Sequence, residues 1–412
     1  MTQRKRSDTP RRASAGDMRA FLLDRLGLRG DYWTPEIAAD RTRDLGMIQI
    51  DSIRVNGLRN HEIVWAARTG SGPQGFYDLL YGQAAMRETH YPIFATRRDW
   101  LPMLNVAFGH RSQADSRDLP AMKSAMRQVL RHLRDKGAAT PADFASDQVA
   151  GGFNTIKATT RALEILFYQG RVQIVGRTSG FQRVFDLTER ATPELVRPGR
   201  PKKRDYERFI VESALDVLKL ATEDQIARRA ALHFGSWRGG NLPYWREVTA
   251  RLLPELGRPA ADPEGENEIY WYRPQDEARW NVADVDPGDH LRLTAPLDNL
   301  MFDRARFRAL FGRDYKFEAY TPAAQRRFYF ALPMLWRDRL VGLIDAKLDR
   351  ESGDPVFRVV GLEIMAPLPP DALRAGIHRF ARLAGATKVA IDARVGRDLR
   401  KTLIGRVEGA GS

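Results

Sequence analysis

Two hydrophobic periods alternate along this chain, and each change of period predicts a change of element. Met18, Phe21, Leu22, Leu23 and Leu26 fall at helical spacing behind Asp17, a plausible N-cap residue. Thr34 to Leu45 repeats that signal, with Thr34 as the cap and Pro35 in the first turn. The period then shortens to two, because Ile48 and Ile50 alternate with Gln49 and Asp51 as in a strand with one packed face. A helix-like region runs through Trp65–Arg68 to a break at Gly70-Ser-Gly-Pro73, and residues 75–108 continue the first domain.

Residues 119–190 carry the clearest pattern. An amphipathic helix over 121–136 ends at Gly137, and a short helix starts at Thr140. A third helix spans Thr155 to Tyr168, followed by β-prone runs at 171–175 and 181–185. Three helices and a hairpin are the winged-helix order, in which the third helix faces a groove. After the Pro- and Arg-rich linker Arg197–Arg204, helices at 208–220, from Thr222, and at 244–256 precede a β-prone run at 268–273, predicting another winged helix. Beyond His290, strands at 291–294, 316–320, 327–332, 339–344 and 357–364 predict a small antiparallel sheet or barrel, closed by a helix over 371–383.

The expected fold class is α+β: tandem winged-helix domains followed by a small C-terminal β-barrel. The boundaries predicted are a disordered basic tail over 1–15, winged helices over 16–118, 119–196 and 197–287 (the last including the linker), and the barrel over 288–412.

Charge adds a partner to this picture. Lys and Arg outnumber Asp and Glu by 66 to 52, for a net charge of +14 over 412 residues. Arginine clusters favour a polyanion such as duplex DNA over simple solubility. The chain has no cysteine, which excludes disulfides, thiol nucleophiles, Cys-ligated zinc and iron–sulfur clusters. No run reaches the length of a membrane span, and the basic start lacks a secretory signal's apolar stretch. A cytoplasmic protein not associated with a membrane is expected.

The candidate catalytic residues are Gln49 and Asp51. On one strand they point to the same side, roughly 7 Å apart. An amide and a carboxylate so placed can position and polarise one water molecule. The alternative is ordinary: Asp51 followed by Ser52 can simply cap the next helix. Candidate DNA contacts are Lys157 and Arg161 on the third helix, Arg200, Lys202 and Lys203 in the linker, and His61 near the strand. Solvated faces, a plain linker and local packing are the competing readings of these. His61-Glu62 begins like a zinc-protease motif, but position 65 is Trp, so the second ligand is missing. No metal and no cofactor are expected. Asp298-Asn299 reads as turn-building, and Trp33, Trp237 and Trp336 read as core.

The chain resembles the crosslink-repair DNA glycosylases of the AlkZ/YcaQ group over nearly its whole length. The resemblance rests on Ile48-Gln-Ile-Asp-Ser-Ile53, Pro296-Leu-Asp-Asn-Leu-Met-Phe-Asp-Arg304, Leu310–Tyr315 with Tyr320–Ala324, and Leu332–Gly342. It implies tandem winged helices with a C-terminal β-barrel. It also implies that Gln49-Ile50-Asp51, the Gln-x-Asp form of the family motif, holds the hydrolytic water. The activity implied is monofunctional release of N7-alkylated purines, including unhooking of guanine N7 interstrand crosslinks, by a monomer associated with the nucleoid. The rivals are a dimeric winged-helix regulator that reads spaced half-sites and, less favoured, a metal-dependent nuclease, for which Asp51 lacks a close acidic partner in sequence.

Overall fold

The structure, a computed structural model, describes residues 9–83, 85–89, 94–104, 119–145, 148–150, 155–195, 201–234, 241–262, 268–350, 353–393, 395–396 and 403–406. It is α+β and divides into two compact units. Unit 1 gathers residues 1–76, 211–229 and 242–412; unit 2 gathers 77–210 and 230–241. Among the described residues no helix is long and apolar enough to cross a membrane.

Unit 1 opens with a correction at its N-terminus. Arg11–Arg12, expected in a disordered tail, form a short strand parallel to Arg258–Ala261, with Arg11 opposite Ala260. They complete a four-stranded sheet with Ile269–Tyr272 and Leu220–Thr222. The first helix, Ala15–Arg25, is capped by Ser14 and not by Asp17. Asp17 closes the box instead: its carboxylate accepts from the Ser14 backbone N at 2.9 Å, while its own N donates to Ser14 Oγ at 3.2 Å. From this helix Phe21 stacks on Trp280 at 4.2 Å and meets the edge of Tyr272 at 5.6 Å.

The C-terminal sheet of unit 1 has six strands in the order Arg292–Leu293, Leu332–Trp336, Arg339–Asp349, Val356–Ile364, Lys388–Ile391 and Gly405–Arg406. Among the described residues each outer strand is paired on one side only. Val356–Ile364 and Lys388–Ile391 are parallel, so a crossover is needed, and the helix Pro370–Leu383 supplies it. At Gly376 a Cβ would come within 2.6 Å of Leu291 Cβ, so glycine lets that helix approach the sheet.

Two expected strands are absent. Residues 316–320 and 327–331 are irregular, and the strand begins at Leu332. The cause lies in where their donors go. Glu318 Oε2 accepts from the N–H groups of Arg327 and Phe328 at 3.0 and 3.2 Å, and Asp345 takes those of Tyr329 and Phe330 at 2.6 and 3.3 Å. Carboxylates thus replace a partner strand.

Unit 2 is built around the helices Leu119–Lys136 and Ala158–Tyr168 and the hairpin Val172–Arg177/Arg183–Leu187. Val129, Leu133, Ala162, Leu166, Val172 and Phe185 fill its core. The helix expected from Thr155 starts three residues later, because Thr155–Lys157 pair as a strand with Gln148–Ala150. A second hairpin, Met86–Thr89/Phe94–Arg97, is tied to the first by a buried ion pair. Arg177 donates to both Glu88 oxygens at 2.9 and 2.6 Å, and Tyr81 Oη donates to the same carboxylate.

Candidate active site

Gln49 ends a three-residue strand, Met47–Gln49, in unit 1. The preceding helix, Pro35–Asp44, stops at Leu45, and Gly46 at φ +79° turns the chain into the strand. Ile48 and Ile50 are 0% and 6% exposed, whereas Gln49 and Asp51 are half-buried, so the alternation predicted from sequence is present in the packing. The strand itself is shorter than expected. Asp51 lies just beyond it, in a turn where its Oδ1 accepts from the Ile53 N–H at 2.7 Å. It therefore caps a turn and not a helix, since the next helix begins only at Asn60. Asp51 Oδ2 and the Gln49 side-chain amide have no hydrogen-bond partner among the described residues.

Two buried asparagines hold this segment by its carbonyls. Asn299 Nδ2 donates to Leu45 O at 3.1 Å and to Met47 O at 3.0 Å. Asn60 Nδ2 donates to Gln49 O at 2.9 Å, and its Oδ1 accepts from Leu297 N at 3.0 Å. Asp298, next to Asn299, accepts from Leu300 N at 3.0 Å and so starts the short 3-10 turn Asn299–Met301. The same carboxylate binds Arg68, from the helix Asn60–Thr69, at 2.8 and 3.0 Å. The turn-building reading of Asp298-Asn299 agrees with these bonds, which also reach back to the Gln49 strand.

Two further arginines pack against this frame. Arg306 donates to the carbonyls of Leu218, Leu220 and Asn299, the last two at 3.1 Å, and burial pushes its guanidinium down to about 10. Arg229 donates to Met47 Sδ at 3.1 Å and lies 4.2 Å from the Phe302 ring centroid. Burial, with Arg306 nearby, lowers Arg229 to about 9, so both stay cationic at neutral pH. Sequence reasoning missed Asn60, Arg68, Arg229 and Arg306. Arg68 meets Asp298, 230 residues away, and Asn60 links Gln49 O to Leu297, 237 residues away; spacing along the chain carries no trace of those distant partners.

The candidate DNA contacts fall in different settings. His61 is 0% exposed and packs with its ring centroid 5.6 Å from that of Phe76, so local packing, not a phosphate contact, describes it. Lys157 is the N-cap residue of its helix, half-buried, with Nζ donating to Phe144 O at 2.8 Å. Arg161 is half-buried and 3.3 Å from Glu164. Arg200 lies outside the described residues. Lys202 and Lys203 are exposed; Lys203 opens the helix Lys203–Leu218, with Nζ 3.6 Å from Glu207. Trp33 and Trp336 are half-buried rather than core, and Trp237 lies outside the described residues. A cavity of about 540 Å³ in unit 1 is lined by Arg11, Arg12, Arg258 and Glu277 among others, and by neither Gln49 nor Asp51.

The comparisons with known proteins agree with the family resemblance. A family model described as DNA glycosylase AlkZ-like matches residues 42–387, a span that includes Gln49, Asp51, Asn60 and Asn299. Among solved structures the chain is similar to the Streptomyces sahachiroi DNA glycosylase AlkZ, with a TM-score of 0.58 and 14% identity over 92% of this chain and 99% of that one. At that identity the likeness is one of fold.

Proposed function

Since the chain belongs to the AlkZ-like DNA glycosylase family, hydrolases of N-glycosyl bonds, we propose that it is a monofunctional glycosylase for N7-alkylated purines that also unhooks guanine N7 interstrand crosslinks. The observation that carries this reading is the placement of Gln49 and Asp51: two half-buried polar groups beside packed isoleucines, on a backbone held from its edge.

Alkylation at N7 makes guanine cationic and already a good leaving group. What remains is to stabilise positive charge at C1′ and deliver water. One carboxylate with an aligning amide meets both needs. Asp51 Oδ1 is fixed by the Ile53 N–H, so Oδ2 is the oxygen we assign to the water and to the developing oxocarbenium charge. Gln49 fixes the same water from the strand. No lysine nucleophile takes part, so the product is an abasic site with the strand intact.

The finer architecture follows the same reading. We take residues 119–196 and 197–287 as winged helices and 288–412 as a small barrel-like domain, acting as a monomer on duplex DNA in the nucleoid. Arg161, Lys202 and Lys203 are the proposed phosphate contacts, and Lys157 and Arg200 stay as candidates. A base tethered to both strands cannot be freely extruded into a tight pocket, so an open site suits a crosslink. Family membership sets aside the regulator and the nuclease.

The test is product analysis on methylated and mustard-crosslinked duplexes. Free 7-alkylguanine with alkali-labile sites and loss of the crosslinked species is the expected result. Strand cleavage without alkali would contradict a monofunctional scheme, and absence of base release would contradict the substrate.

A further inference from the structure

We infer that Asn60 and Asn299 are positioning residues of the reaction, acting through the backbone of the Gln49 strand; this rests on the reading that Gln49 and Asp51 hold the water.

Met47 and Gln49 are two residues apart, so their carbonyls leave the strand on one edge. Two side-chain amides donate to these carbonyls, and both asparagines are 0% exposed. Each is anchored elsewhere. Asn60 takes the Leu297 N–H, while Asn299 follows Asp298, which Arg68 fixes with two hydrogen bonds. The segments 45–49 and 297–299 are thereby locked together across the fold, one peptide short of the residue carrying the carboxylate.

The chemistry requires amides. Asn299 uses its NH₂ group on two carbonyls, and a carboxylate of the same shape has no proton to donate. Asn60 uses both ends of its amide. In Asn60→Asp the acceptor for Leu297 N survives, while the NH₂ group that donates to Gln49 O at 2.9 Å and, at a longer 3.4 Å, to Leu297 O is lost. That variant therefore removes the bond to the strand and keeps the Leu297 N–H bond that helps hold the fold. A general base must keep its water in near-attack geometry, and small displacements of the supporting backbone are costly in rate.

The experiment measures single-turnover 7-methylguanine release, DNA affinity and melting temperature in the full-length protein. The variants are Asn60→Asp, Asn60→Ser and Asn299→Asp, with the unit 2 core variant Leu133→Ala as a control for plain destabilisation. The expected result is a release rate lower by about tenfold or more, with DNA affinity near wild type. The loss should exceed that of Leu133→Ala at a matched drop in melting temperature. Asn60→Ser, which shortens the side chain and removes the amide NH₂ without adding charge, should fall in the same direction. A rate that merely follows melting temperature, or does not change, overturns the inference. Asp51→Asn run in parallel separates the two levels: full activity there removes the dyad, and the inference with it. An inactive Asp51→Asn beside fully active Asn60 and Asn299 variants removes the positioning role alone.

Discussion

Asp298 binds Arg68 through both carboxylate oxygens, at 2.8 and 3.0 Å, in an ion pair whose side chains are 0% and 1% exposed. Arg68 also donates to the carbonyls of Leu26 and Val64, so its charge is fully occupied inside unit 1. Removing one partner leaves the other charged, buried and unpaired. Arg68→Met and Asp298→Asn should each lower unfolding free energy by about 3–5 kcal/mol, and the double variant Arg68→Met/Asp298→Leu should recover part of that loss. Urea denaturation checks this, and single-variant losses below about 1 kcal/mol would contradict the pair's structural importance.

Lys219 predicts an alkaline stability profile. It stands at φ +66° after the helix Lys203–Leu218, a place where glycine is usual, and its Nζ donates to Asp44 O at the end of the helix before the Gln49 strand. Burial, reinforced by Arg25 and opposed by Asp216, Asp276 and Asp44, pushes its ammonium down from 10.5 to about 8. The unfolded chain therefore binds more protons than the native state between these values, so stability rises as pH climbs through that window. The full cost of the buried charge, about 3 kcal/mol, is present below pH 8 and gone above the unfolded value. Subtracting the Lys219→Met profile from wild type should isolate this rise. A flat difference from pH 7.5 to 10.5 would contradict it.

Lys202 and Lys203 test the phosphate contacts. Both are exposed at the start of a helix, and replacing both with alanine should weaken duplex binding almost equally for any sequence. The slope of log affinity against log salt should become shallower by ~2 if each lysine neutralises one phosphate. An unchanged slope would assign these lysines to the linker alone.

Legibility in the sequence divides along the range of the interactions. The alternation of Ile48 and Ile50 with Gln49 and Asp51 is a local pattern, and the burial of those residues follows it. Gly70 ends the helix Asn60–Thr69 in the left-handed region, as a Gly-rich break predicts. Where a distant side chain competes for the backbone, the pattern misleads. Residues 327–331 carry β-prone aromatics, yet Glu318 and Asp345 take their N–H groups. Arg11–Arg12 read as a tail because the strand edge that receives them lies nearly 250 residues away. Its place near the Gln49 strand in sequence suggests a functional reading of His61; its neighbour Asn60 makes the bond to that strand.

The central claim is that Asp51 delivers the water. Its most direct test is the single-turnover rate of 7-methylguanine release from methylated duplex DNA by wild type and Asp51→Asn, with DNA affinity measured alongside. The account predicts that Asp51→Asn binds as wild type does and loses base release by about 100-fold or more, as expected for loss of a general base. Release at the wild-type rate would contradict it.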